Sequence, residues 1–326
     1  MTLLGLGAIS IDDDLATGML GMHGTVASNY AVYEADLIIA IGMRFDDRVT
    51  GKLESFAPNA KIIHVDIDPA EIGKNKKPDI PIVGDVKNVL EKMVEKSKVQ
   101  HRKEWVEKIK NWKKEYPLVY KKEENKIKAQ QVIETVSKIT NGEAIIVTDV
   151  GQHQMWTAQF YAFKEKSILC SSGGAGTMGY GLPAALGAKV GAKDSKVIAF
   201  VGDGGIQMTA QEFMTLAHFK IPVKVIILNN SYLGMVRQWQ EIFHNRRYSS
   251  VNLEINPDFI KLAEAYRLKG VKIEDPSKLE EVLKENIESD EPVLIECVVA
   301  KEENVLPMVP PGGEGHKMMG IRGELE

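Results

Sequence analysis

Lys196–Asn230 reads KVIAFVGDGGIQMTAQEFMTLAHFKIPVKVIILNN, and its punctuation decides the fold. Val197–Val201 is a short, β-branched apolar run that stops on Gly202-Asp203-Gly204-Gly205. Val223–Leu228 is a second, stopping on Asn229-Asn230. Between them Thr209-Ala210-Gln211-Glu212 has the form of a capping box, followed by Phe213, Leu216 and Ala217 at helical spacing. A strand, a helix and a strand over this length predict two parallel neighbours. Both polar tips then fall at the carboxyl ends of adjacent strands, where open α/β sheets place ligands.

Asp203 and Asn230 stand 27 positions apart (230 − 203), which suits one crossover helix. A carboxylate and an amide oxygen are hard donors that can meet on one small divalent cation. Magnesium takes few protein ligands and completes its shell with water and phosphate oxygens, so the tips predict a metal–diphosphate site. The glycines allow close backbone approach and offer N–H groups to an anion. Gly-Asp-Gly alone occurs in many turns; the two apolar strands and the terminal Asn pair give it its meaning.

The 326 residues are enough for two domains, and a 44% hydrophobic, 26% charged composition is that of a globular protein. A net charge of −4 gives no general attraction to nucleic acid or to an anionic membrane. No apolar run approaches a membrane span. Cys170 and Cys297 form no metal motif, and so few cysteines point to a reducing, cytoplasmic setting.

From the start, Met1–Gly7 is apolar and reads as a strand entering a glycine turn. Gly18–Thr25, GMLGMHGT, is a flexible segment. Ser28–Ala35 is helical, with Ser28 or Asn29 as cap. Asp36–Gly42 is a buried strand that empties into Met43-Arg44-Phe45-Asp46-Asp47-Arg48. Lys61–Asp66 and Ile80–Val83 are further strands, ending at Asp66 and Gly84-Asp85. Acidic residues at strand ends suit ribose hydroxyls, and arginines suit a pyrophosphate or a flavin edge. Asp after a strand equally caps the next helix, and spacing does not choose between the two. A charged helix follows, with Trp105, Ile109 and Trp112 on one face, and then a polar linker.

A second α/β pattern starts near Gln130. Glu143–Trp156 is a strand running out into Gly151-Gln152-His153. Ser167–Gly187 is a short strand, a glycine loop and a helix with Pro183 in its first turns. Asn256-Pro257-Asp258 caps another helix, and Glu291–Val299 is the last strand. The resulting segmentation is 1–95, 96–128 for charged helix and linker, 129–300, and a tail over 301–326. Four apolar strands end in polar or glycine-rich loops, and in a parallel sheet these open on one edge. His153, directly after a strand, is placed to meet a phosphate, the other reading being a satisfied histidine under a loop. Met178 is either a cofactor wedge or a core methionine. Trp239 either faces the cleft or packs in the core, and Cys170 is structural.

Several stretches together carry a family resemblance. VGQHQMW, SSGGAGTMGYGLPAALG, LNNSYLGMVRQWQ and VLPMVPPGG, with the Gly202–Asn230 motif, closely resemble the large catalytic subunit of acetolactate synthase, a thiamine-diphosphate-dependent enzyme. GMLGMHGT, IGMRFDDRVTG and HVDIDPAEIGKN resemble its flavin-binding middle domain. The resemblance implies an α/β chain of two doubly wound parallel-sheet domains. The first would be an incomplete FAD-binding middle domain and the second a thiamine-diphosphate-binding domain.

It implies decarboxylation of pyruvate on thiamine diphosphate and carboligation to a second 2-oxo acid. The products would be 2-acetolactate or, with 2-oxobutyrate, 2-aceto-2-hydroxybutyrate, in branched-chain amino-acid synthesis. By motif, Asp203, Asn230 and the Tyr232 main-chain oxygen would bind Mg²⁺. Gly151, Gln152, His153, Gly176, Met178, Gly202, Gly204, Gly205, Leu233, Gly234 and Met235 would join them around the cofactor, Gln152 and His153 at its diphosphate and Met178 against the bent rings. Met235 and Trp239 would line the substrate pocket. Gly21, Met22, His23, Gly24, Arg44, Asp46, Arg48, Asp66 and Asp85 would contact FAD. The family's first domain, with its activating glutamate, has no counterpart here, so no catalytic residue is nominated. The expectation is a fragment or split half, in a homo-oligomer or with a partner chain carrying that domain, and with a regulatory small subunit. Competing readings are a non-catalytic cofactor-binding or assembly module, and a pyruvate oxidase or glyoxylate carboligase relative.

Overall fold

The computed structural model describes residues 1–165 and 167–325. By contact they form two units, one of Met1–Thr2, Thr17–Val119 and Leu306–Glu326, the other of Leu3–Ala16 and Tyr120–Val305. Residues 306–326, a tail by sequence, thus belong with the first unit.

The first unit runs α1 (Val26–Glu34), β1 (Leu37–Ile41), α2 (Asp47–Thr50), β2 (Lys61–Asp66), β3 (Ile80–Val83), α3 (Val86–Lys96) and α4 (Lys103–Glu115). Its three strands pair in parallel in the order β1-β2-β3. Ala40, Phe45, Phe56, Ala57 and Ile62 form the core, with Ile38 packed against it. The expectation of a buried β1 is corrected. Leu37, Ile39 and Ile41 are 37%, 43% and 40% exposed, because alternate residues of a strand face opposite sides and only the Ile38–Ala40 side meets this core. The α1 cap is Thr25, neither Ser28 nor Asn29. Its Oγ1 accepts the Ser28 N–H at 3.1 Å, and Asn29 instead exchanges two hydrogen bonds with the Gly21 backbone. Trp112 of the amphipathic α4 packs edge-on against Tyr30 at 5.6 Å.

The second unit opens with a short 3₁₀ turn at Leu3–Gly5 in place of the expected strand. The Leu6 N–H closes on the Leu3 carbonyl and Gly7 turns the chain at φ 91°, a conformation that glycine adopts freely. Then follow α5 (Ala129–Ile139), β4 (Ile145–Thr148), α6 (Gln152–Phe160), β5 (Ile168–Ser171), α7 (Gly181–Gly191), β6 (Val197–Gly202), α8 (Asp203–Ile206) and α9 (Glu212–Phe219). The chain continues through β7 (Val223–Asn229), α10 (Gly234–Phe243), α11 (Phe259–Ala265), β8 (Lys269–Ile273), α12 (Leu279–Glu288) and β9 (Val293–Val298). The sheet order is β5-β4-β6-β7-β9-β8, with every pair parallel.

Burial of both sheet faces explains the continuous apolar runs, Ile198, Phe200 and Ile226 being fully buried on the face opposite Val197 and Val225. Val197, Ala199 and Val201 of β6 and Val223, Val225 and Ile227 of β7 are buried with Leu182, Ala185, Phe213 and Leu216. Each aliphatic chain so buried contributes roughly 1.5–3 kcal/mol. The capping box does not form. Thr209 Oγ1 donates to the Gly179 carbonyl at 3.0 Å, and Glu212 Oε2 accepts from Thr215 Oγ1 at 2.9 Å. Thr209 serves a neighbouring loop because α9 starts only at Glu212, too late for it to cap.

After β4 the chain passes to β5 on one side and returns as β6 on the other. The direction of winding reverses there, opening a crevice above the tips of β4 and β6. Among the described residues no helix is long and apolar enough to cross a membrane.

Candidate functional site

Four segments meet at that crevice: Asp149–His153 at the tip of β4, Met178–Gly181 leading into α7, Gly202–Gly205 at the tip of β6, and Asn229–Gly234 at the tip of β7. β6 and β7 pair through Gly202 and Leu228, so Asp203 and Asn230 leave adjacent tips of one sheet. Asp203 is 1% exposed and Asn230 6%. Burial pushes the Asp203 carboxyl up to about 6, although Asn256 and nearby backbone N–H groups donate to it. Among the described residues, no basic side chain forms an ion pair with Asp203. A buried carboxylate without a counter-charge is costly and invites a cation.

Asn230 is held from two sides. Its Nδ2 donates to Gln152 Oε1 at 3.3 Å, and its Oδ1 accepts the Tyr232 N–H at 3.1 Å. Gln152, 3% exposed, also donates to Gln238 Oε1 at 2.9 Å and to the Glu303 carbonyl at 2.8 Å. Its side chain therefore braces Asn230. Ser231, at φ 58°, turns the chain between Asn230 and Tyr232. Sequence reasoning missed Gln238, which holds Val305 through both backbone groups, and Arg237, fully buried, which bonds Asn304 Oδ1 at 2.6 Å and Glu241 at 2.7 Å. Their signal was a polar pair on the buried face of α10, visible only once that face is known.

The glycines leave room that a side chain would fill. A Cβ on Gly204 would fall 2.7 Å from Leu233 Cδ2 and 3.9 Å from Met178 Cε, which puts Met178, Gly204 and Leu233 together. A Cβ on Gly202 would meet His153 Nδ1 at 3.2 Å, and one on Gly151 would meet the same ring at 3.1 Å. Cβ atoms on Gly205 and Gly234 would collide with Asp149 Oδ2 and Gln152 Oε1. His153 is 6% exposed, and its buried Nε2 has no hydrogen-bond partner. Burial holds its pKa down to about 4 in spite of a bond with the Asp149 main chain. An orphaned nitrogen, glycine backbone open to close approach and a carboxylate with no basic partner among the described residues fit a metal-bound diphosphate.

Not every predicted residue joins this cluster. Gly176, at φ 66°, faces open space. Trp239 lies further along α10 in a groove of about 470 Å³ with Val236, Gln240, His244 and Arg247, and Met235 is not among its lining residues. Two residues of the cluster had been passed over. Asp149, 1% exposed, ends the IIVTD run. Asn256, read as part of a helix cap, points to Asp203, while Asp258 alone caps α11 by accepting from Ile260 and Lys261.

In the first unit, Gly21 at φ 109° lies tight against the Arg48 backbone, and the Met22 N–H donates to the Arg48 carbonyl at 2.7 Å. Gly24 closes the same turn onto the Gly21 carbonyl at 2.9 Å. His23 is buried, its pKa brought down to about 4 by burial and by the Arg48 charge. Asp46 and Asp85 accept from Arg48 N and Asn88 N as helix caps, and Asp66 accepts from Asp68 N at 3.0 Å. Arg44 pairs loosely with Asp46 at 3.7 Å, and Arg48 with Asp47 at 3.1 Å, in solvent.

Comparison with known proteins adds the frame. The family described as "Thiamine pyrophosphate enzyme, C-terminal TPP binding domain" matches residues 149–297, and "Thiamine pyrophosphate enzyme, central domain" matches residues 1–93. The acetolactate synthase large subunit of Lactococcus lactis subsp. lactis is 48% identical over 321 residues, covering 98% of this chain and 56% of that protein. That of Porphyra purpurea is 46% identical over 327 residues, covering 98% and 55%. The probable acetolactate synthase large subunit of Methanocaldococcus jannaschii is 48% identical over 321 residues, covering 96% and 54%. The chain spans about half the length of the curated relatives it matches.

Proposed function

We infer the function from one premise: this chain belongs to the thiamine pyrophosphate enzymes, with matches to their central and C-terminal domains. We propose that it works in an acetolactate synthase, decarboxylating pyruvate and joining the remaining two-carbon unit to a second 2-oxo acid. The products are 2-acetolactate or, with 2-oxobutyrate, 2-aceto-2-hydroxybutyrate. The observation that carries the reading is Asp203, buried and, among the described residues, without a basic partner, beside Asn230 at adjacent strand tips.

When bound, thiamine diphosphate supplies the electron sink that 2-oxo acid decarboxylation requires. The chain's own residues hold it. Asp203, Asn230 and the Tyr232 carbonyl would take Mg²⁺, a donor set of hard oxygens suited to that ion. The Gly205 N–H and His153 would meet the diphosphate, with Gly202 and Gly204 leaving room beside it, the Gly204 N–H being held by the Asp203 carboxylate. Met178 and Leu233, packed close to Gly204, form an apolar support on the same tips. Gln152 keeps the Asn230 amide turned for the cation through its bond to Nδ2. Trp239 would line the approach of the second 2-oxo acid. A flavin in the first unit would meet the Gly21–Gly24 turn, the exposed guanidiniums of Arg44 and Arg48, and the remaining carboxylate oxygens of Asp46, Asp66 and Asp85. The relatives are named large subunits, and this chain is taken to work with further subunits in the same way.

Calorimetric titration of the chain with thiamine diphosphate, with and without Mg²⁺, tests the site. Binding that needs the metal and disappears in Asp203→Ala is expected. Equal binding without metal, or in that variant, refutes it.

A further inference from the structure

Asp149 stands at the tip of β4, buried, and nothing in the function above uses its side chain. Its two oxygens take the Gly179 N–H together, at 2.8 Å to Oδ1 and 3.0 Å to Oδ2. Oδ1 also takes the Val150 N–H at 2.9 Å. The N–H groups of Tyr180 and Gly181, where α7 begins, turn on the same carboxylate, a favourable place for an anion. On its other side Oδ2 lies so close to Gly205 that no Cβ fits between them. One anion therefore touches three segments of the crevice: the end of β4, the loop before α7 and the turn after β6.

The gripped loop carries Met178. Its neighbour Gly179 is fixed from both ends, by Asp149 at the N–H and by Thr209 Oγ1 at the carbonyl, 3.0 Å away. Gly179 sits at φ 88°, so the bend that aims Met178 depends on these two holds. Met178 Cε in turn reaches to within 3.9 Å of where a Gly204 Cβ would stand. We propose that Asp149 is a positioning residue: it locks the Gly176–Gly181 loop against the Gly202–Gly205 turn and so sets the place of Met178 above the strand tips. The proposal rests on the thiamine-diphosphate reading only for what Met178 supports; the brace itself belongs to the cofactor-free chain.

Asp149→Asn keeps the shape but replaces one acceptor with an NH₂ group, which opposes a backbone N–H, donor against donor. Gly205→Ala pushes on the carboxylate from the opposite side and provides a second route if the first variant does not fold. The whole chain is labelled with methyl-¹³C methionine, the Met178 signal being assigned by its loss in Met178→Leu. In the cofactor-free protein, either variant is expected to shift the Met178 methyl toward its random-coil position and raise its mobility, with distant methionines unmoved. The Kd for thiamine diphosphate with Mg²⁺ rises at least tenfold. A Met178 signal unchanged in the folded variants overturns the proposal, even if cofactor affinity falls, because Asp149 would then act without the loop. If the unaltered chain binds no thiamine diphosphate, the functional reading fails, and the Met178 signal still decides the brace.

Discussion

Asn256 Nδ2 donates to Asp203 Oδ2 at 2.7 Å, and Gln207 Nε2 donates both to Asn256 Oδ1 at 3.1 Å and to the Asp203 carbonyl at 2.9 Å. The carboxylate at the head of α8 is thus turned by an amide relay and not by a basic side chain. It keeps its negative charge for a cation while its rotamer is fixed.

Asn256→Ala removes that hold. Affinity for thiamine diphosphate with Mg²⁺ is expected to fall about tenfold, or about 1.4 kcal/mol, with little change in unfolding temperature. Titration calorimetry beside thermal unfolding reads both. An unaltered isotherm would remove the relay from the account.

The buried Asp203 costs stability when ionised. Its carboxyl titrates near 6 in the fold against an ordinary 3.8, so the unfolded chain releases its proton first. The cost is absent below about pH 4 and complete above about pH 6, on the order of 3 kcal/mol. Without ligands, Asp203→Asn is therefore expected to stabilise the chain by about 1–3 kcal/mol at pH 8 and to converge with the parent near pH 4. Urea unfolding at the two pH values measures this, and an equal difference at both would contradict it.

His23 and His153 act in the opposite direction. Both titrate near 4 when folded against an ordinary 6.5, so between these values the unfolded chain binds more protons. Stability is present above pH 6.5 and lost as pH falls toward 4, by about 3 kcal/mol for each histidine. Neutralisation of Asp203 returns about as much as one of them loses, leaving a net fall. His153→Gln should flatten the profile between pH 6.5 and 4.5; a profile as steep as the parent's would place the loss elsewhere.

Gly234 opens α10, where a Cβ would collide with Gln152 Oε1 and lie 2.7 Å from Asn230 Nδ2. Gly234→Ala is expected to displace both amides and weaken cofactor binding about a hundredfold, while helix propensity offsets part of the stability lost, by up to about 1 kcal/mol. Gly187→Ala, in α7 with open space around it, serves as the control and should bind normally. Similar affinities for the two variants would show that the Gln152–Asn230 contact does not matter.

Much of the site was legible because strand tips announce themselves. A buried parallel strand needs an unbroken apolar run, so Gly202-Asp203 and Asn229-Asn230 marked where two strands end and polar groups of the candidate site collect. Asp149 carried the same signal at the end of IIVTD, but an acid after a strand also caps helices, and one sequence cannot separate the two roles. Asp46, Asp66 and Asp85 each accept a nearby backbone N–H, and Asp203 accepts both from backbone N–H groups and from the distant Asn256. Thr209 and Asn256 were misread for a related reason: each has the local form of a cap, yet its partner lies tens of residues away.

Periodicity and punctuation by themselves determined most of the parallel strands and the edge on which polar loops collect, but not β8 or α12, whose stretches the sequence reading leaves unnamed. Those features depend on near neighbours in the chain, through backbone pairing and apolar burial. Tertiary structure alone decided which face of β1 is covered, which glycines must stay bare, and which amides clasp Asp203 and Asn230. Such matters depend on atoms brought together from distant positions, where a single hydrogen bond or a missing Cβ decides what fits.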